Sequence, residues 1–117
     1  MPAQKLTTFP MIFIISGGTG ASAGQLVRTV LAQFPDVKIP MESFPQIRHS
    51  GQLGEIVARA SEVDGVIVHT LVDVALRRAL IALASKHQVV EINLMGSLLD
   101  QLAQRLDQRP LGQPGLY

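Results

Sequence analysis

Met11-Ile12-Phe13-Ile14-Ile15-Ser16-Gly17-Gly18-Thr19-Gly20-Ala21-Ser22-Ala23 is the stretch that decides the fold. Five apolar residues run into a loop of glycine and hydroxyl side chains, and an amphipathic segment opens behind it, so the order is strand, loop, helix. A glycine-rich turn at that junction exposes backbone N–H groups beside the positive end of the helix dipole. An anion of phosphate size is stabilised there.

Downstream the apolar period alternates between short strand-like runs and 3.6-residue helical patterns. Ala23, Val27, Val30, Leu31 and Phe34 make one face of the first helix, with Ser22 and Gln25 at capping-box spacing; Pro35 and Asp36 end it. Lys38 to Phe44 is the second strand, and Pro40, which lacks a ladder donor, places it at an edge. The second helix runs from Ser50 to about Ala60, with Leu53, Ile56, Val57 and Ala60 on its apolar face. Asp64-Gly65 turns the chain into a third strand, Val66-Ile67-Val68, ending at His69-Thr70. Thr70 and Asp73 have capping-box spacing before a helix carrying Val72, Leu76, Ala79, Leu80 and Leu83, with Lys86 and His87 at its C-terminal end. Val89 to Asn93 is the fourth strand. After Gly96, Ser97 and Asp100 cap a last helix bearing Leu98, Leu99, Leu102 and Leu106.

Four strand and helix units of this kind predict an α/β fold: a three-layer, Rossmann- or flavodoxin-like parallel sheet of about four strands in the order 2-1-3-4, with helices on both faces. Residues 1–10 read as an N-terminal extension, 11–108 as a single domain, and 109–117, with two prolines and two glycines, as a tail or linker. Right-handed crossovers bring the strand C-termini to one edge, where open α/β sheets bind ligands. Ser16, Thr19, His69 and Thr70 are expected to converge there, with Ser43 and Asn93 at the ends of the neighbouring strands.

Composition narrows the function. In 117 residues, 47% apolar content supports one ordinary core, and ten basic against nine acidic side chains leave a net charge of +1. No field or charge run argues for nucleic acid. The absence of cysteine removes disulfides, thiolate metal sites and cysteine nucleophiles. The longest apolar run is far below the roughly 20 residues that span a bilayer, and the N-terminus lacks a signal peptide's apolar segment, so a soluble, cytoplasmic protein without a membrane partner is expected.

The glycine loop is not a Walker A element, which needs G-x-x-x-x-G-K-[ST], because no lysine falls between Lys5 and Lys38. The anion-binding reading takes Ser16, Gly18, Thr19, Gly20, Ala21, Ser22, His69, Thr70 and Asn93 as its residues. Amides around Gly18 to Ala21 would supply N–H donors, the hydroxyls of Ser16, Thr19 and Thr70 further hydrogen bonds, and His69 a pH-dependent donor. A dinucleotide reading takes Gly18, Gly20 and Ala23 as a relaxed G-x-G-x-x-A, with Glu42 as the ribose-binding acid about 20 residues on. A third reading leaves the glycines as a tight turn in a dimerising interaction domain. No catalytic residue and no metal ligand is assigned. Asp73 reads first as a helix-start residue. Glu91 is the odd residue in an apolar strand, needing a partner if it faces the core.

The loop with Ser16 to Ala23, the Leu31-Ala32-Gln33-Phe34 end of the first helix, Thr70-Leu71-Val72-Asp73 and Pro114-Gly115 together resemble the N-terminal half of the pyruvate, phosphate dikinase and phosphoenolpyruvate synthase regulatory proteins. The resemblance covers Met11 to Gly115. It implies a bifunctional kinase/pyrophosphorylase that uses ADP to phosphorylate a threonine of the dikinase or synthase, and phosphate to remove that group as pyrophosphate. It also implies that the phosphate-binding loop and the ADP or ATP site lie in a C-terminal half, so this chain holds no cofactor itself. Two acids of the family's S-D-[SG]-T-G and T-A-E pattern are replaced here by Gly17 and Gly24. The dikinase or synthase is the implied partner, and homo-oligomers are a further expectation.

Overall fold

The computed structural model describes residues 10–114; the expected extension over residues 1–10 lies outside them except for Pro10, as do residues 115–117 of the expected tail. The elements are β1 (Ile12–Ile15), α1 (Ala21–Leu31), β2 (Met41–Phe44), a 3-10 turn (Ser50–Gln52), α2 (Leu53–Glu62), β3 (Val66–His69), α3 (Val74–Lys86), β4 (Val90–Asn93) and α4 (Gly96–Leu106). The four strands form one sheet in the order β2-β1-β3-β4. All three pairings are parallel, with Ile12 opposite Met41 and Val66, and Val66 opposite Val90. The expected α/β architecture and its 2-1-3-4 order are therefore present.

Period-two alternation sorts the strands between two cores. On one face Phe13, Ile15 and Ile67 pack against Leu53, Ile56, Val57 and Ala60 of α2 and Leu76 and Leu80 of α3. On the other, Ile14 and Val68 meet Ala23 and Val27 of α1. Because both faces of the central strands are covered, Phe13, Ile14, Ile15 and Ile67 are fully buried. The faces predicted for α2 and for the centre of α3 are the ones that pack.

Several local expectations are corrected. β2 starts at Met41 rather than Lys38, because Pro40 cannot donate to the ladder; its carbonyl instead accepts the Ile12 amide at 2.9 Å. Ser22 and Gln25 do not cap α1, whose N-cap is Gly20 at φ +82°, a left-handed conformation that favours glycine. Thr70 does not cap α3 either. Asp73 does, accepting the Leu76 amide at 3.0 Å, so the short acid is the cap itself rather than the third residue of a box. At α4, Asn93 Oδ1 accepts from the amides of Met95 at 3.2 Å and Gly96 at 2.8 Å and takes the place assigned to Ser97 and Asp100.

Two predicted apolar faces are only partly used. Val30, in the last turn of α1, and Phe34, beyond its end, are exposed. On α4, Leu98 is 65% and Leu106 62% exposed, and Leu102 is exposed as well. The side-chain tie of α4 to α3 is a long ion pair, Arg77 to Asp100 at 3.5 Å. Leu98→Ser is accordingly expected to shift folding stability by no more than about 0.5 kcal/mol, as measured by urea unfolding; a loss of several times that would place Leu98 in the core.

Candidate functional site

β1 delivers the glycine loop to the C-terminal edge of the sheet, and the loop's carbonyls are turned toward the segment after β2. Ser16 O accepts from Ile47 N at 3.0 Å, and Gly18 O accepts from Gln46 N at 2.9 Å. Two amides are satisfied inside the loop: Gly18 N donates to Ser16 Oγ at 3.0 Å, and Ala21 N to Thr19 Oγ1 at 3.2 Å. The expected cluster of free amides at Gly18 to Ala21 is thereby shifted. Among the described residues, no hydrogen-bond partner meets the amides of Thr19, Gly20, Ser22 and Ala23, which lie at the positive end of α1. Because the Ser16 and Thr19 hydroxyls accept from backbone, their own protons remain available to donate.

A cavity of about 410 Å³ opens over this loop. Its floor is Ser16 to Ala23 with Thr70, and its walls are Val72, Met95, Leu99 and the returning segment 110–114. Seven of the nine expected anion-site residues, all but His69 and Asn93, share this floor. Among the described residues, the lining carries no charged side chain. These residues offer hydrogen bonds and dipoles rather than a group that exchanges a proton near neutral pH.

His69 and Asn93 stand elsewhere. Asn93 is used by its cap. His69 is fully buried and hydrogen-bonds through Nε2 to Glu91 Oε2 at 2.7 Å. Leu71 N donates to His69 Nδ1 at 3.3 Å, which leaves the proton on Nε2 to be donated to Glu91. Burial holds the imidazole below the ordinary histidine range, against the hydrogen bond and charge of Glu91, and the positive charge of Arg77 adds to the lowering. His69 thus closes the core beneath the edge instead of joining the cavity, and Glu91, the odd acid of its strand, has its partner.

The acid of the dinucleotide reading is also occupied. Glu42 accepts from Arg59 at 2.7 and 3.3 Å, and that hydrogen bond holds the Glu42 carboxyl below the usual range against desolvation, with the guanidinium charge adding to the lowering. Arg59 lies over the rings of Phe13 and Phe44. Glu42 is absent from the cavity lining, whereas Gly18, Gly20 and Ala23 belong to it. Sequence reasoning missed these partners and the apolar walls; the register that puts Glu91 beside Ile67, two residues before His69 and so on the same face of the sheet, is the signal that would have found the His69 contact. Among the described residues, no cluster of three His, Cys, Asp or Glu could hold a metal ion, and no helix is long and apolar enough to cross a membrane.

Fold and loop together define an α/β protein with a glycine-rich loop at the C-terminal edge of a parallel sheet. The chain matches the kinase/pyrophosphorylase family over residues 12–117 and belongs to it. A Chloroflexus aurantiacus relative named as a pyruvate, phosphate dikinase regulatory protein is 44% identical over 110 residues, covering 94% of this chain and 39% of the relative. A similarly named Desulfotalea psychrophila protein is 42% identical over 109 residues, covering 93% of this chain and 38% of its own length. A third, from Listeria monocytogenes, is 33% identical over 108 residues. The chain thus spans about two fifths of the length of these relatives.

Proposed function

We propose that this chain forms the ligand-binding, non-catalytic part of a regulatory kinase/pyrophosphorylase, and that the glycine-loop cavity holds a phosphate or phosphate-bearing group. The observation that carries the reading is that, among the described residues, the amides of Thr19, Gly20, Ser22 and Ala23 are unpartnered and belong to the same cavity lining as the Ser16 and Thr19 hydroxyls at the start of α1. The uncharged lining supports binding rather than bond-making. Phosphoryl transfer from ADP to a threonine, and its reversal with phosphate, would then take place on another part of the family's polypeptide. The enzyme regulated would be pyruvate, phosphate dikinase, as in the names of the relatives, or phosphoenolpyruvate synthase, in the cytoplasm. The dinucleotide alternative is disfavoured because its ribose acid, Glu42, is held by Arg59.

Calorimetry and thermal unfolding with inorganic phosphate test the site. Phosphate is expected to raise the unfolding temperature of the native chain, with a shift that keeps growing logarithmically as its concentration passes Kd. Thr19→Val, which removes both the hydroxyl donor and the acceptor that orders the Ala21 amide, is expected to weaken binding about tenfold. Equal phosphate affinity in a folded Thr19→Val protein, or none in the native chain, would reject the reading.

A further inference from the structure

The segment after α4 does not behave as a free tail. Residues 110–114 run back across the glycine loop and wall the 410 Å³ cavity on one side. On the other side lies a second cavity of about 200 Å³, whose lining includes Arg48 and Asp73. Gly17, Val72, Gly112 and Pro114 line both, so the segment is a partition between two spaces.

What seats this partition is the missing side chain at Gly17. A Cβ placed there would stand 2.9 Å from Pro114 Cβ and 3.3 Å from its Cγ, too close to coexist, while its next neighbour, Ile47 O, is at an ordinary 3.6 Å. Gly17 itself lies outside the left-handed region, so another residue fits its backbone, and only the proline objects. The strap is otherwise lightly held. Among the described residues, no backbone hydrogen bond joins 110–114 to the body, Leu111 is exposed, and the strap bends at Gly112 with φ +70°.

We propose that the Gly17–Pro114 contact is a latch: seated, the strap keeps Arg48, which shares the smaller cavity with Gly17, out of the larger one over Thr19 to Ala23; released, it joins the two cavities and adds Arg48 to the anion site. The Arg48 half of this inference rests on the anion-binding reading; the latch does not. Arg48 is exposed, and among the described residues its guanidinium has one partner, Gln46 Oε1 at 2.8 Å, which it can exchange for an anionic oxygen.

The test uses the intact chain. Backbone 15N relaxation should give order parameters for Leu111, Gly112 and Gln113 close to the rigid value of about 0.85 in the native protein, falling below about 0.6 in Gly17→Ala while the sheet stays rigid. Pro114→Gly, which clears the same contact from the strap side, should give the same loosening with the loop untouched. Inorganic phosphate should bind Gly17→Ala about fivefold more tightly than the native chain, and Arg48→Gln in that background should remove the gain. A strap that stays rigid in both variants, or one already loose in the native chain, overturns the latch. Phosphate bound equally by native and Gly17→Ala proteins overturns the role of Arg48 and leaves the anion site standing; phosphate bound by neither overturns both of those, with the latch decided by relaxation alone.

Discussion

Phe13→Ala is expected to destabilise the fold by about 3–5 kcal/mol, read as a lower urea midpoint with an unchanged slope. Phe13 sits on a central strand with no exposed surface, so truncation leaves a cavity that no neighbour can fill by a simple rotation. Its ring is stacked on Phe44, with centroids 5.9 Å apart and planes 13° from parallel. The Arg59 guanidinium lies 5.6 Å from the Phe13 ring and 5.7 Å from the Phe44 ring, and is turned there by Glu42. Gly65 leaves the space on the far side: a Cβ at that position would come within 2.6 Å of the ring. One substitution therefore removes apolar burial, an aromatic pair and the surface on which Arg59 rests. Phe13→Leu, which refills much of the volume without the π face, should lose less. A Phe13→Ala cost below about 1 kcal/mol would mean that the site collapses freely, contrary to packing from both sides.

The same residues show why much of the fold was legible. β1 and β3 are apolar runs because parallel strands covered on both faces leave no polar position, and the loop behind β1 announces the strand-to-helix change. What pattern cannot supply is how far each face is covered. Val30, Leu98, Leu102 and Leu106 fall at helical spacing, yet all four are left exposed. Spacing also left the α3 cap ambiguous, since Thr70-x-x-Asp73 satisfies a capping box while Asp73 alone satisfies the amide of Leu76. The candidate site divides along the same line. Ser16 to Ala23 and Thr70 meet because strand order fixes where loops go, whereas His69 and Glu42 were taken by partners that only register and side-chain direction reveal. The strap over Gly17 has no period at all, and nothing local in 110–114 says where it returns.

Glu91→Leu is expected to cost about 1–3 kcal/mol, because it strands the Nε2–H of a fully buried imidazole. Glu91→Gln keeps an acceptor oxygen at the same reach and should cost less at neutral pH, so the pair separates loss of a hydrogen bond from loss of a charge. Acid sharpens the distinction. His69 is held below its unfolded value of about 6.5, so the unfolded chain takes up a proton before the folded one does. This contribution to stability is fully present above that value and is lost as pH falls toward the lowered folded value. Removing the negative charge of Glu91 removes what resists the lowering, so the folded value drops further and the window of loss widens. Glu91→Gln should thus resemble the native chain near pH 7.5 and fall progressively below it from about pH 6.5 downward, in urea unfolding at matched ionic strength. Parallel stability curves for the two proteins across that interval would show that Glu91 does not govern the charge state of His69, and that the 2.7 Å contact serves the neutral ring alone.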